Sequence, residues 1–85
     1  MAGTGKGQTE RQIALGRRVA QRRDTLGLAQ ERAAHDAGLH RTYWTSLERG
    51  QRNPSLETLC KIATALNCDV GDLVTGLQAE QGRRD

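Results

Sequence analysis

Phenylalanine is absent from this 85-residue chain, and tyrosine and tryptophan occur once each, side by side at Tyr43 and Trp44. Two aromatic rings cannot build the stacked platform that reads single-stranded nucleic acid. There are two cysteines, Cys60 and Cys68, too few for the disulfide framework that holds small secreted domains together. Cys68 is expected as a small core residue and Cys60 as half-buried. With His35 and His40 they have no recognised metal-ligand spacing, so no metal or cofactor is expected. No apolar run reaches signal-peptide or membrane length, which points to a cytoplasmic chain with reduced thiols and no membrane partner. No nucleophile–base set, carboxylate pair or phosphate loop occurs at useful spacing, so an enzyme is not expected. Nor does one small domain leave room for a separate ligand-binding unit.

Charge is unevenly distributed. Residues 11–52 carry nine arginines, no lysine and four acids, a net of +5. Residues 53–80 carry Lys61 against Glu57, Asp69, Asp72 and Glu80, a net of −3. A basic front suits a polyanionic partner, and the acidic back is expected to face away from it.

The chain is organised around Gly38 to Gly50. Either glycine can take the left-handed conformation that ends a helix, so a short helix is expected from Arg41 to about Arg49. Trp44 and Leu47 share its inner face, with Leu39 just ahead of it. Arg41, Thr42, Thr45, Ser46 and Arg49 fall at i, i+1, i+4, i+5 and i+8, the opposite stripe. That stripe has no acid and no large apolar group. It offers guanidinium forks and hydroxyls, which bond base edges and phosphate oxygens.

Around this helix the chain reads as all-α. Residues 1–8 are small and polar and are expected to form a disordered arm. A first helix is expected from Thr9 to about Leu26, with Leu15, Val19, Arg22 and Leu26 on one face. Gly16 costs it about 1 kcal/mol relative to alanine. Gly27 ends it. A second helix runs to about Ala37 from a poor cap at Ala29, with small Ala33, Ala34 and Ala37 inside. Gly38 then gives the turn of a helix-turn-helix. After the Asn53-Pro54 turn, Ser55 caps a fourth helix with Leu56, Leu59, Ile62, Ala63 and Leu66 as its apolar stripe. Asp69 caps a fifth, from Val70 to about Leu77, and residues 78–85 form a frayed tail. The folded domain is thus expected over residues 9–77. Val70, Leu73, Val74 and Leu77 exceed what closing a core requires, so part of this stripe is expected to be a dimer interface, with Leu66 or Cys60 adding to it.

The run Gly27-Leu-Ala-Gln-Glu, then Ala34, Gly38-Leu, Tyr43, Leu47-Glu-Arg-Gly50, Asn53-Pro-Ser-Leu-Glu-Thr-Leu59, Ile62-Ala63 and Ala65-Leu66 resembles the lambda-repressor/Cro-like helix-turn-helix family. The likeness spans about Leu15 to Val74. The segment from Leu39 to Pro54 is also similar to controller proteins of restriction–modification systems. The resemblance implies a five-helix domain whose third helix enters the major groove of DNA. It implies base contacts from Arg41, Thr42 and Ser46, with Thr45 nearby. It implies phosphate contacts from Gln30, Tyr43, Arg49, Arg52 and Asn53, and an internal ion pair between Arg23 and Glu48. Three departures from the family are Ala29 at the usual Ser or Thr cap, Ala33 in place of Leu, and Trp44 in place of Ile or Val. His40 replaces a serine cap. The function expected is that of a sequence-specific, autoregulatory DNA-binding regulator acting as a homodimer on a pseudo-palindromic operator. An antitoxin or a phage or plasmid repressor uses the same module, and a protein-interaction module can share the fold.

Overall fold

The computed structural model describes residues 9–81, so the arm expected at 1–8 and the end of the tail lie outside the described residues. Five helices follow one another: α1 (Glu10–Thr25), α2 (Gln30–Ala37), α3 (Arg41–Glu48), α4 (Leu56–Ala65) and α5 (Val70–Val74), with a 3-10 turn at Leu77–Gln81. The described residues contain no strand.

Each boundary has a local cause. Thr9 is the cap of α1 rather than its first residue: its Oγ1 accepts from the Gln12 amide at 3.1 Å. Ser55 caps α4 in the same way through the Thr58 amide, also 3.1 Å. At the head of α5 the Asp72 carboxylate accepts from the Asp69 amide at 3.0 Å. Neither Ala29 before α2 nor His40 before α3 supplies a side-chain cap. Gly38 turns the chain between those two helices at φ +71°.

One core holds the helices together. Val19, Ala33, Trp44, Leu47, Ile62, Leu66 and Leu73 are essentially inaccessible, and Trp44 is 0% exposed. α2 packs on α3 and α4, while α1 packs on α3, α5 and the terminal 3-10 turn. Gly16 allows a close approach of α3 to α1. A Cβ there would lie 2.5 Å from the Leu47 carbonyl oxygen and 2.7 Å from that of Glu48. The glycine that weakens α1 as a helix is what lets α3 lie against it.

Several apolar expectations change. α5 stops at Val74 because the chain turns at Gly76, where φ is +79°. Leu77 therefore leaves the helical register, begins the 3-10 turn and folds back into the core at 8% exposure. The tail expected from residue 78 continues this 3-10 turn as far as Gln81. Leu73 and Leu66 are also core, so of the expected interface group only Val70 and Val74, both half-buried, and exposed Cys60 reach the surface. Cys68 is half-buried, and burial pushes its thiol pKa up. Leu56 matches the α4 stripe by spacing but overhangs the core and is 70% exposed.

Candidate nucleic-acid interface

One carboxylate sets where α3 lies. Glu48, at the end of α3, has a side chain only 8% exposed, and its partner Arg23 on α1 is 15% exposed. The guanidinium donates through Nε to Oε2 at 2.6 Å and through Nη2 to Oε1 at 3.0 Å. Gln30 on α2 donates its Nε2 to Oε1 at 2.9 Å, and Trp44 donates its indole Nε1 to Oε2 at 2.7 Å. Three helices thus meet at one charge. Burial alone would raise the Glu48 carboxyl pKa, but hydrogen bonds from Arg23, Gln30 and Trp44 and the Arg23 charge outweigh it and hold the group below its ordinary value. The hydrogen bond to Glu48 raises Arg23 in turn, against the effect of burial. Arg23 also donates Nη1 to the Leu28 carbonyl at 2.7 Å, which fixes the bend between α1 and α2.

The opposite face of α3 is open. Arg41, Thr42, Thr45, Ser46, Arg49 and Gln51 line a shallow depression of about 300 Å³. Arg41, Thr42 and Arg49 are exposed, whereas Thr45 and Ser46 are half-buried. The two hydroxyls already have partners. Thr45 Oγ1 donates to Gln30 Oε1 at 3.3 Å. Ser46 Oγ donates to the Tyr43 carbonyl and accepts from Arg52 Nε, both at 2.8 Å. The Arg52 guanidinium lies 5.0 Å from the centre of the Tyr43 ring, within cation–π range. Burial raises the Tyr43 hydroxyl pKa, and the Arg52 charge opposes that rise. Asn53 is exposed beside this cluster.

These positions sort the expected contact residues. Arg41, Thr42, Arg49, Arg52 and Asn53 are exposed on or next to the α3 face. Tyr43 is half-buried and supports Arg52. Ser46 braces Arg52 as well as facing outward. Gln30 is half-buried, with its amide nitrogen on Glu48 and its amide oxygen toward Thr45.

The basic front also divides. Arg18 donates to the Leu73 and Thr75 carbonyls at 3.2 and 2.7 Å, and Arg22 to those of Leu66 and Asn67, both at 2.9 Å. They cap the last turns of α5 and α4, where carbonyls have no helical partner. Arg32 pairs with Asp36 along α2. Much of the sequence's positive charge therefore does structural work. The structural parts of Gln30, Trp44 Nε1, Gly16, Arg18 and Arg22 are absent from the sequence reading. Two of them carried a signal: Gly16 as an otherwise costly residue inside a helix, and Arg22 as a cation on the apolar face of α1.

An acid-free outer helix face, held across a second helix by a glycine turn, defines a helix-turn-helix module. The family model described as helix-turn-helix matches residues 19–73, and the chain belongs to that family of DNA-binding transcriptional regulators. Control protein C.SmaI of Serratia marcescens is 47% identical over 70 residues, covering 80% of this chain and 83% of the relative. The crystal structure of the restriction–modification controller protein C.AhdI from Aeromonas hydrophila superposes with a TM-score of 0.70 at 43% identity, over 72% of this chain and 92% of that one. The biofilm master regulator SinR, solved in complex with DNA, superposes with a TM-score of 0.66 at 33% identity, over 69% of this chain and 95% of that one. Among the described residues no helix is long and apolar enough to cross a membrane.

Proposed function

We propose that this regulator binds double-stranded DNA as a homodimer on a pseudo-palindromic operator and controls its own gene, in the manner of a restriction–modification controller. The observation that carries the reading is the outer face of α3. Arg41, Thr42 and Arg49 stand exposed around an open depression, and no acid lies among its lining residues. Arg49, Arg52 and Asn53 supply phosphate contacts and salt-dependent affinity, while Arg41, Thr42 and Thr45 choose the sequence. Regulation is by occupancy of the operator. The likeness to C.SmaI and C.AhdI supports the controller role.

One α3 spans only a few base pairs, too few for specificity in a genome. Two copies related by a two-fold axis place their reading helices in successive major grooves, about 34–36 Å apart. Val70 and Val74 form the apolar surface left on α5 once Leu73 and Leu77 have closed the core, and they are the proposed centre of the interface. A footprint on DNA upstream of the protein's own gene tests the whole reading. A protected region with two-fold symmetry is expected. Uniform protection that follows no sequence would overturn it.

A further inference from the structure

We infer that Glu48, acting through Gln30, locks the Thr45 hydroxyl as a hydrogen-bond acceptor toward DNA, so that Thr45 reads an exocyclic base amine, adenine N6 or cytosine N4, and rejects a base carbonyl. The inference rests on the DNA-reading role proposed above and assigns the base chemistry that one position selects.

An ionised carboxylate has lone pairs and no proton to donate. Glu48 is held in that form by Arg23 at 2.6 Å. The Gln30 atom 2.9 Å from Glu48 Oε1 must therefore be the amide nitrogen. This settles the orientation of the Gln30 amide and turns its oxygen toward Thr45 Oγ1, 3.3 Å away. An amide oxygen only accepts, so the Thr45 hydroxyl gives it its single proton. What Thr45 then offers outward is two lone pairs and a methyl group.

Other threonines show how unusual this is. Thr25, Thr64 and Thr75 each donate to the carbonyl four residues earlier, as a helical threonine commonly does. Thr45 instead donates across to another helix. A freely rotating hydroxyl would match either a donor or an acceptor on a base edge, and a locked one discriminates between them. In the major groove the amines of adenine and cytosine are donors, while guanine O6, thymine O4 and the purine N7 atoms accept. Arg41 and Arg49, four residues to either side, provide only donors. Thr45 thus adds an acceptor between the two guanidinium groups along the same depression.

The experiment first selects the preferred operator from randomised duplexes with the wild-type protein. Analogue duplexes then lack one exocyclic amine at a time, with purine in place of adenine or 2-pyrimidinone in place of cytosine, which also shows which base supplies the amine. At one position in each half-site, amine removal should weaken wild-type binding about 2- to 12-fold, the value of one hydrogen bond. Thr45→Val keeps the shape and should bind the intact and amine-less duplexes equally. Gln30→Leu frees the hydroxyl proton and should bind with nearly equal affinity when that base is exchanged for one presenting a carbonyl. Full amine sensitivity in Thr45→Val, or an unrelaxed preference in Gln30→Leu, would overturn the inference and leave the DNA-reading role standing. A wild-type protein that selects no sequence would overturn both.

Discussion

Replacing Glu48 by glutamine keeps the side-chain shape and exchanges one oxygen for an NH2 group. Each carboxylate oxygen accepts two hydrogen bonds: Oε1 from Arg23 and Gln30, Oε2 from Arg23 and Trp44. Whichever way the new amide turns, its NH2 opposes two N–H donors. Arg23 is left charged and mostly buried, with Asp24, an exposed acid at 3.6 Å, as its remaining ion-pair partner. Removing one partner of a buried pair costs about 3–5 kcal/mol. A domain of this length has a total stability of roughly 4–13 kcal/mol. The loss should lower Tm by at least about 12 °C, taking about 4–8 °C per kcal/mol for a domain of this size. Circular dichroism and Trp44 fluorescence should report the same melt, since the indole donates to the altered group. A Glu48→Gln protein that melts within about 5 °C of wild type yet no longer binds DNA would refute the reasoning. It would make Glu48 a DNA-reading residue rather than the anchor of α3.

The same residue sets an acid limit. The folded protein holds the Glu48 carboxyl below its ordinary pKa, so folding favours its ionised form. The resulting stability is fully present above the unfolded value of about 4.3 and is lost as pH falls through the lower folded value. Glu48→Gln has no such contribution. The gap in stability between the two proteins should therefore narrow below about pH 4, and a constant gap down to pH 2 would contradict the linkage.

Other substitutions test separate parts of the structure. Arg41→Ala should cost about 1–3 kcal/mol on the selected operator and much less on random duplex, whereas equal losses would make Arg41 a phosphate contact. Arg52→Gln should weaken binding to every sequence and reduce the salt slope by about one unit, so an unchanged slope in a salt titration argues against a phosphate contact. Gly16→Ala should lower the urea midpoint: helix propensity gains about 1 kcal/mol, but the added Cβ meets backbone oxygens of α3 at 2.5 and 2.7 Å. A raised midpoint would show that α1 and α3 can separate freely. Val70→Lys removes half of the apolar surface proposed as the interface and should sediment as a monomer that keeps its helical circular dichroism; a dimer of unchanged strength would place the interface elsewhere.

What the sequence makes legible here depends on how far each signal travels along the chain. The order of the five helices is local information: Gly27, Gly38, Gly50 and Asn67 all take positive φ and stop helices where spacing alone would let them run on. The inward side of Trp44 is local too, since it shares a helix face with Leu47 and both are inaccessible. The end of α5 shows where periodicity fails. Val70, Leu73, Val74 and Leu77 fit a continuous helix, and a four-point pattern does not register that Gly76 bends the chain before the last point. Leu77 is apolar for the core, as the pattern indicates, but it reaches the core by a turn.

Charge is the least local signal. Counting arginines treats each as a solvated cation, yet Arg18 and Arg22 are bound to carbonyls 44 to 57 residues away in sequence. Arg23 is bound to an acid 25 residues away. The excess of five positive charges in the front of the chain therefore overstates what DNA would meet. The DNA-facing charge proposed here is that of Arg41, Arg49 and Arg52, set around a helix whose position is fixed from behind by Glu48. Gln30 follows the same logic. Its residue type suits a phosphate contact or an internal bond equally well, and the carboxylate 18 residues further along engages one of its amide hydrogens. A side chain's type is written at its own position, but its partner is chosen by the fold.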